Sequence, residues 1–127
     1  MSLQKILYVE DEPDIRMVGQ LSLGTVGGFA IELCEHGGLV EEAARRFQPD
    51  LVLMDVMMPT MDGPTALARL KADPALAHIP VVFMTAKVQR HEVEQYLAQG
   101  ALDVIAKPFD PMTLPDQVRS IWGARAA

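Results

Sequence analysis

Short apolar runs alternate with longer amphipathic segments along the chain. The five runs are KILYVE (5–10), FAIELC (29–34), LVLMD (51–55), IPVVFMT (79–85) and ALDVIAK (101–107). They are almost continuously hydrophobic rather than strictly alternating, as strands that are covered on both faces require. The pattern therefore predicts a parallel sheet with helices on both of its faces.

The segments between the runs predict five helices, because apolar side chains recur there at about helical spacing. The recurring positions are Ile15, Val18, Leu21 and Val26; Leu39, Ala43 and Phe47; Ala66, Leu67 and Leu70; Val93, Tyr96 and Leu97; and Leu114, Val118, Ile121 and Trp122. Gly100 is expected to end the fourth helix, and Asp110 with Pro111 to begin the fifth. Pro115 would disturb the first turns of that helix, so we expect a short separate turn or a bend there.

Composition limits the fold and the partners. The 127 residues, half of them hydrophobic, suffice for one domain, which we place at 1–127 with a core of about 4–123. The net charge of −6 and the pI near 4.9 disfavour direct binding to nucleic acid, because phosphates would be repelled.

Segment lengths and cysteine content point to a cytoplasmic protein. No apolar run approaches the roughly 20 residues of a membrane helix. An acidic pair follows the first strand before any signal-peptide core could form. Cys34 is alone, so it cannot form an internal disulfide, and we expect it to be a buried small hydrophobe.

Polar residues stand where the predicted strands end. Glu10 and Asp11 follow the first strand, and Asp55, Thr85 and Lys107 end the third, fourth and fifth. In an open parallel sheet these ends meet at one edge, where ligands bind. Each residue alone has an ordinary alternative as a helix cap, turn residue or surface charge, but the combination predicts a site for a phosphoryl group and a metal. The second strand contributes nothing to this set, which suits an edge position.

Three clustered carboxylates would repel one another unless a cation compensates. A hard divalent ion with oxygen ligands is the natural partner, and a site with few protein ligands suits Mg²⁺. Glu10 and Asp11 would hold this ion, with Asp55 and the backbone carbonyl of Met57 completing the protein ligands.

The same residues predict a mechanism of phosphoryl transfer. Asp55 would be the nucleophile and would form an aspartyl-phosphate. Lys107 would stabilise charge on the phosphoryl oxygens, and the Thr85 hydroxyl would donate to one of them.

At this point the sequence resembles a known family. The segments LYVEDEPDIR, PDLVLMDVMMPTMDGPTAL, IPVVFMTA and GALDVIAKPF resemble the receiver domain of response regulators of bacterial two-component signalling. The resemblance covers about residues 4–123. It implies a doubly wound, flavodoxin-like three-layer α/β sandwich with five helices and the strand order 2-1-3-4-5. It also implies that Thr85 acts as a switch residue and that the Lys107–Pro108 peptide is cis.

The resemblance further implies a signalling module that is not a turnover enzyme, and it implies partners. Phosphotransfer to Asp55 would come from a sensor histidine kinase or a histidine phosphotransfer protein. A downstream target protein would bind the face formed by the fourth helix, fifth strand and fifth helix, and phosphorylation could drive formation of a homodimer.

Two positions bear on how such a domain would behave. Val104 stands where the family usually has an aromatic residue that couples to the switch threonine, and valine cannot swing in that way. We therefore expect a backbone shift of TAKVQR (85–90) to replace that relay. Met57 and Lys87 flank the site, and because Met57 cannot orient water, slow hydrolysis of the aspartyl-phosphate is expected.

Two other function classes use similar residues. A phosphatase of the haloacid dehalogenase type also has a strand-end Asp, a Thr or Ser, a Lys and Mg²⁺. That family needs a second Asp two residues after the first, where this chain has Met57. A scaffold domain that has lost phosphotransfer is the other alternative; the intact acid pair, Asp55, Thr85 and Lys107 argue against it, and Val104 keeps it open.

Overall fold

The computed structural model describes residues 2–125. Its five strands form one parallel sheet in the order β2-β1-β3-β4-β5. The strands are β1 (Lys5–Val9), β2 (Ala30–Cys34), β3 (Leu51–Asp55), β4 (Val81–Thr85) and β5 (Asp103–Ala106). The predicted fold class and strand order are confirmed, and β2 lies at an edge of the sheet as expected.

A helix follows each strand. The helices are α1 (Pro13–Gln20), α2 (Val40–Phe47), α3 (Gly63–Ala72), α4 (Arg90–Ala98) and α5 (Leu114–Ala124). A π-helical segment, Leu21–Val26, continues α1, and a short 3₁₀ turn, Gly37–Leu39, precedes α2. The five predicted helices are therefore present within the described residues.

Two apolar layers cover the two faces of the sheet. On one face Leu7 and Phe83 share a buried cluster with residues of α2 and α3, while on the other face Tyr8 packs in a cluster with residues of α5. β3 and β4 are buried at every position. Coverage on both faces explains why these strands are continuous apolar runs rather than alternating ones.

The ends of α4 and α5 follow local chemistry. α4 ends at Ala98, and Gly100 then adopts a positive φ of 111°, as a helix-ending glycine is expected to. The prediction that Asp110 caps α5 directly is wrong, because α5 begins only at Leu114. A separate turn precedes it, in which an Asp110 carboxylate oxygen accepts from the Met112 N–H at 2.9 Å. Pro115 then lies in the first turn of α5, where its missing N–H costs no intrahelical bond.

Two smaller expectations concern the chain outside the site. Cys34 is buried and is not part of a disulfide. Among residues 2–125 no helix combines the length and the apolar character that a membrane span needs.

Candidate functional site

The polar residues of the strand ends meet at the carboxyl edge of the sheet. Asp55 and Thr85 are the last residues of β3 and β4, Glu10 directly follows β1, and Lys107 directly follows β5. Glu10, Asp55 and Thr85 are 0%, 5% and 2% exposed. Buried polar groups in an apolar core are costly unless they are paired, so this cluster needs internal partners.

Lys107 supplies the partner for two of the carboxylates. Its Nζ donates to Glu10 Oε1 at 3.0 Å and lies 3.3 Å from Asp55 Oδ2. The Lys107 side chain is 18% exposed, so the ion pairs are largely shielded from water. One ammonium group thus joins the ends of β1, β3 and β5.

The carboxylates form a candidate metal centre. One oxygen from each of Glu10, Asp11 and Asp55 lies within 4.8 Å of the others, which is close enough to share one ion. Three carboxylates facing a single ammonium leave an excess of negative charge, and oxygen donors of this kind suit Mg²⁺. The residues therefore fit a hard divalent ion.

Met57 was predicted to add its backbone carbonyl as a further ligand, and this role stays a prediction. The structure places the Met57 N–H 3.4 Å from Asp55 Oδ1, as a donor to that carboxylate. The Met57 side chain is 66% exposed beside the site.

Burial and charge shift the protonation of this cluster. Burial is the main cause that raises the pKa of Glu10 from 4.5 to about 7; the charge of Asp55 raises it further, while the hydrogen bond from Lys107 lowers it. For Lys107, burial lowers the pKa, but the hydrogen bond to Glu10 and the charge of Asp55 outweigh it, so the pKa is raised. Lys107 therefore stays cationic at neutral pH.

Thr85 lies between the other strand ends. Its Oγ1 accepts a hydrogen bond from the Lys87 N–H at 3.0 Å, and its carbonyl accepts from the Lys107 N–H at 2.9 Å. Because the oxygen is the acceptor in the first bond, the hydroxyl proton can be donated elsewhere. The peptide between Lys107 and Pro108 is cis, as the resemblance implied.

Two main-chain N–H groups donate hydrogen bonds in the turn that carries the acid pair. The Glu10 N–H donates to the Cys34 carbonyl at 3.0 Å, and the Glu12 N–H donates to Glu10 Oε2 at 3.2 Å. Glu12, and not Asp11, is the residue that precedes the first turn of α1. The alternative in which Asp11 serves only as a helix cap is therefore not supported.

Sequence reasoning missed Arg16. Its Nη1 donates to the carbonyl oxygens of Glu10 at 2.9 Å and of Asp11 at 3.4 Å. The available signal was its place in the first turn of α1, because helical side chains tilt toward the N-terminus and a long one can reach back to the acid pair. A contact to backbone carbonyls leaves no trace in residue types, so the pattern of charges alone did not identify it.

Comparison with known families agrees with this geometry. The family model of the response regulator receiver domain matches residues 6–119. The chain belongs to this family. Receiver domains act in two-component signalling with histidine kinases, so the chain contains a signalling domain that is consistent with a phosphoacceptor role.

Curated relatives of this receiver domain are longer proteins. The response regulator PleD of Caulobacter vibrioides is 40% identical over 118 residues, which are 92% of this chain and 26% of that protein. The DNA-binding dual master transcriptional regulator RpaA of Synechocystis is 33% identical over 119 residues, 94% of this chain and 49% of that protein. The chain spans about a quarter to a half of these relatives.

Solved structures share the fold. The N-terminal domain of a response regulator receiver protein from Methanoculleus marisnigri is 38% identical, with a TM-score of 0.76 and coverage of 94% of this chain and 96% of that one. The chemotaxis response regulator CheY4 of Vibrio cholerae has a TM-score of 0.86 at 24% identity, with coverage of 94% and 99%. At that identity the second likeness shows the receiver fold alone.

Proposed function

We propose that the receiver domain accepts a phosphoryl group on Asp55 from a phosphohistidine, in a reaction that depends on Mg²⁺. The observation that carries the proposal is the Asp55 carboxylate, 5% exposed, within ion-pair distance of Lys107 and beside Glu10 and Asp11. The donor is a sensor histidine kinase or a histidine phosphotransfer protein. The proposed domain extends over residues 1–127 and acts in the cytoplasm.

The transfer is a single displacement at phosphorus. An Asp55 carboxylate oxygen forms the new P–O bond while the P–N bond of the donor breaks, and the electron pair of that bond returns to the imidazole nitrogen. Lys107 is already placed against Asp55 Oδ2 and stabilises the negative charge on the phosphoryl oxygens. Thr85 donates its hydroxyl proton to one of these oxygens. The protein mainly positions charge and carries out little covalent chemistry of its own.

Mg²⁺ would be held by Glu10, Asp11 and Asp55, with the Met57 carbonyl as the further predicted ligand. When bound, it would neutralise charge on the phosphoryl group. Lys107 holds the Glu10 and Asp55 carboxylates together, and its cationic form supplies part of that compensation. Exposed Met57 gives no polar group to orient water, and we therefore propose that the aspartyl-phosphate hydrolyses slowly.

An apolar groove beside the site suits the partner that brings the phosphohistidine. The groove has a volume of about 440 Å³. It is lined by Asp14, Ile15, Val18, Ala86, Lys107, Pro108 and Phe109. Met17 of α1, Leu21 of the π-helical segment and Met112 in the turn before α5 are also apolar and exposed, at 61%, 56% and 67%. An amphipathic helix that carries a phosphohistidine would bury its apolar face here and reach Asp55.

The output response would use the face of α4, β5 and α5. α4 buries none of its residues, so it can move at low cost compared with the other helices. Val104 is half-buried opposite Phe83 of β4, and Tyr96 of α4 packs edge-on against Phe83 with ring centroids 5.4 Å apart. Movement of Thr85 would pass along β4 and the 85–90 segment to α4. This route would not need an aromatic side chain at position 104. A target protein, or a second copy of the chain, would bind the altered face.

The test is the intact mass of the protein after incubation with a small phosphoryl donor, with and without Mg²⁺. The expected result is one added phosphoryl group in the wild type and none in Asp55→Ala or without Mg²⁺. Continuous consumption of the donor with no adduct would support the phosphatase alternative. Absence of both adduct and consumption would support the scaffold alternative.

A further inference from the structure

Arg16 links the docking helix α1 to the turn that presents the acid pair. It is half-buried, and one guanidinium nitrogen, Nη1, contacts two successive carbonyl oxygens, at 2.9 Å to Glu10 and 3.4 Å to Asp11. Hydrogen bonds from a charged donor are about twice as strong as neutral ones. The contact is to the main chain, so it acts on the path of the turn rather than on either carboxylate.

This contact has few substitutes within the described part of the chain. Glu10 and Asp11 lie beyond β1, where the ladder hydrogen bonds end apart from the bond from the Glu10 N–H to Cys34. The other two contacts, from the Glu12 N–H to Glu10 Oε2 and from Lys107 Nζ to Glu10 Oε1, use carboxylate oxygens that an ion would also need. Arg16 is thus the contact that fixes both carbonyls while leaving all carboxylate oxygens free.

We propose that Arg16 is a positioning residue that holds the Glu10–Asp11 turn in the geometry that binds the divalent cation. The proposal rests on the function proposed above and deepens it by adding a residue that touches neither ion nor phosphoryl group. Holding the two carboxylates in place before the ion arrives removes an ordering cost from binding. Arg16 therefore acts on the affinity for Mg²⁺ and not on the chemical step.

The sign of the effect separates positioning from simple charge. Arg16 carries a positive charge near the site, and such a charge repels a cation. If charge were its only influence, replacing it with a neutral residue would tighten Mg²⁺ binding. If it holds the turn, the same replacement weakens binding.

The experiment measures Mg²⁺ binding by titration calorimetry without phosphoryl donor, and then phosphorylation rate against Mg²⁺ concentration. The variants are Arg16→Met, Arg16→Lys and the control Arg69→Met, whose wild-type side chain is 58% exposed on α3. Arg16→Met is expected to weaken Mg²⁺ binding about tenfold, as loss of a charged hydrogen bond implies. The maximal rate at saturating Mg²⁺ should stay near that of the wild type, and Arg16→Lys, which keeps a charged donor, should bind more tightly than Arg16→Met.

Several outcomes would overturn the proposal. Unchanged or tighter Mg²⁺ binding in Arg16→Met would show that the turn does not need Arg16. A Lys variant no better than the Met variant would show that donation is not the cause, and a reduced maximal rate with unchanged Mg²⁺ dependence would show a general structural defect. If the wild type itself binds no Mg²⁺ and forms no adduct, it is the proposed function that fails, which is a different result.

Discussion

Replacing Glu10 with glutamine tests whether ionisation of this buried carboxyl destabilises the folded protein when no cation is bound. Glu10 is completely buried, and burial is the first cause that raises its pKa from 4.5 to about 7, with Asp55 adding to it and Lys107 opposing it. A folded-state pKa above the unfolded value stabilises the protein below pH 4.5. That stability is lost as the pH rises through about 7.

The size of the effect follows from the shift. One pKa unit is worth about 1.36 kcal/mol, so a shift from 4.5 to about 7 costs the wild type about 3 kcal/mol once Glu10 is ionised. Most of this loss falls between pH 5 and pH 7. Glu10→Gln has nearly the same shape and carries no charge, so its stability should not decline in the same way.

The assay is urea unfolding at several values between pH 5 and pH 8 with a metal chelator present. The free energy of unfolding of Glu10→Gln, relative to that of the wild type, should rise by roughly 2 to 3 kcal/mol from pH 5 to pH 8. The control is Glu42→Gln on α2, whose stability should follow that of the wild type because this side chain is already exposed to water in the folded protein. Parallel curves for wild type and Glu10→Gln would refute the reasoning, since the buried carboxyl would then have an ordinary pKa.

Three further changes have expected outcomes that thermal or urea unfolding can measure. Gly19→Ala should destabilise the fold by about 1 to 3 kcal/mol, because its new Cβ would lie 2.3 Å from the Tyr8 ring. The control Gly123→Ala, whose new Cβ would have no atom within 4 Å, should be neutral or stabilising. Equal effects of the two substitutions would contradict the argument. Lys107→Met should cost about 3 to 5 kcal/mol at pH 8 without metal, because it leaves two carboxylates unpaired; a neutral result would show that water solvates them. Asp62→Ala should cost about 1 kcal/mol, because the Asp62 side chain caps α3 through the Thr65 N–H, and an unchanged midpoint would show that the cap is dispensable.

The strands were predictable because burial on both faces leaves a continuous apolar run. The residues at which the strands begin were harder to predict. The fourth run begins at Ile79, yet β4 begins at Val81, since Pro80 has no N–H to donate and contributes only its carbonyl, which accepts from Val52 at 2.9 Å. Residue types indicate which segments are buried, but the pairing of backbone groups decides where each strand begins.

The first helix shows a different limit. Leu21 and Val26 fit a continued α-helical period, but this stretch is π-helical and leaves the two side chains 56% and 49% exposed. Wider turns change the face on which each later residue lies. The Arg119 guanidinium, which donates to the Gly27 carbonyl and lies over the Phe29 ring, ties the end of this segment to α5. Such tertiary ties are formed by residues far apart in sequence, so a local period cannot reveal them.

The site was predictable for a reason that also explains what was missed. A parallel sheet brings the carboxyl ends of its strands together, so Glu10, Asp55 and Lys107 could be placed at one edge although 97 positions separate the first from the last. The mutual need of three carboxylates for a cation and of a buried lysine for an anion then supports the chemistry proposed above. Arg16 satisfies carbonyl groups that every residue possesses, and main-chain acceptors carry no signature in a sequence. Side-chain chemistry at strand ends can therefore be read in advance, whereas the contacts that hold the backbone of a site require the folded structure.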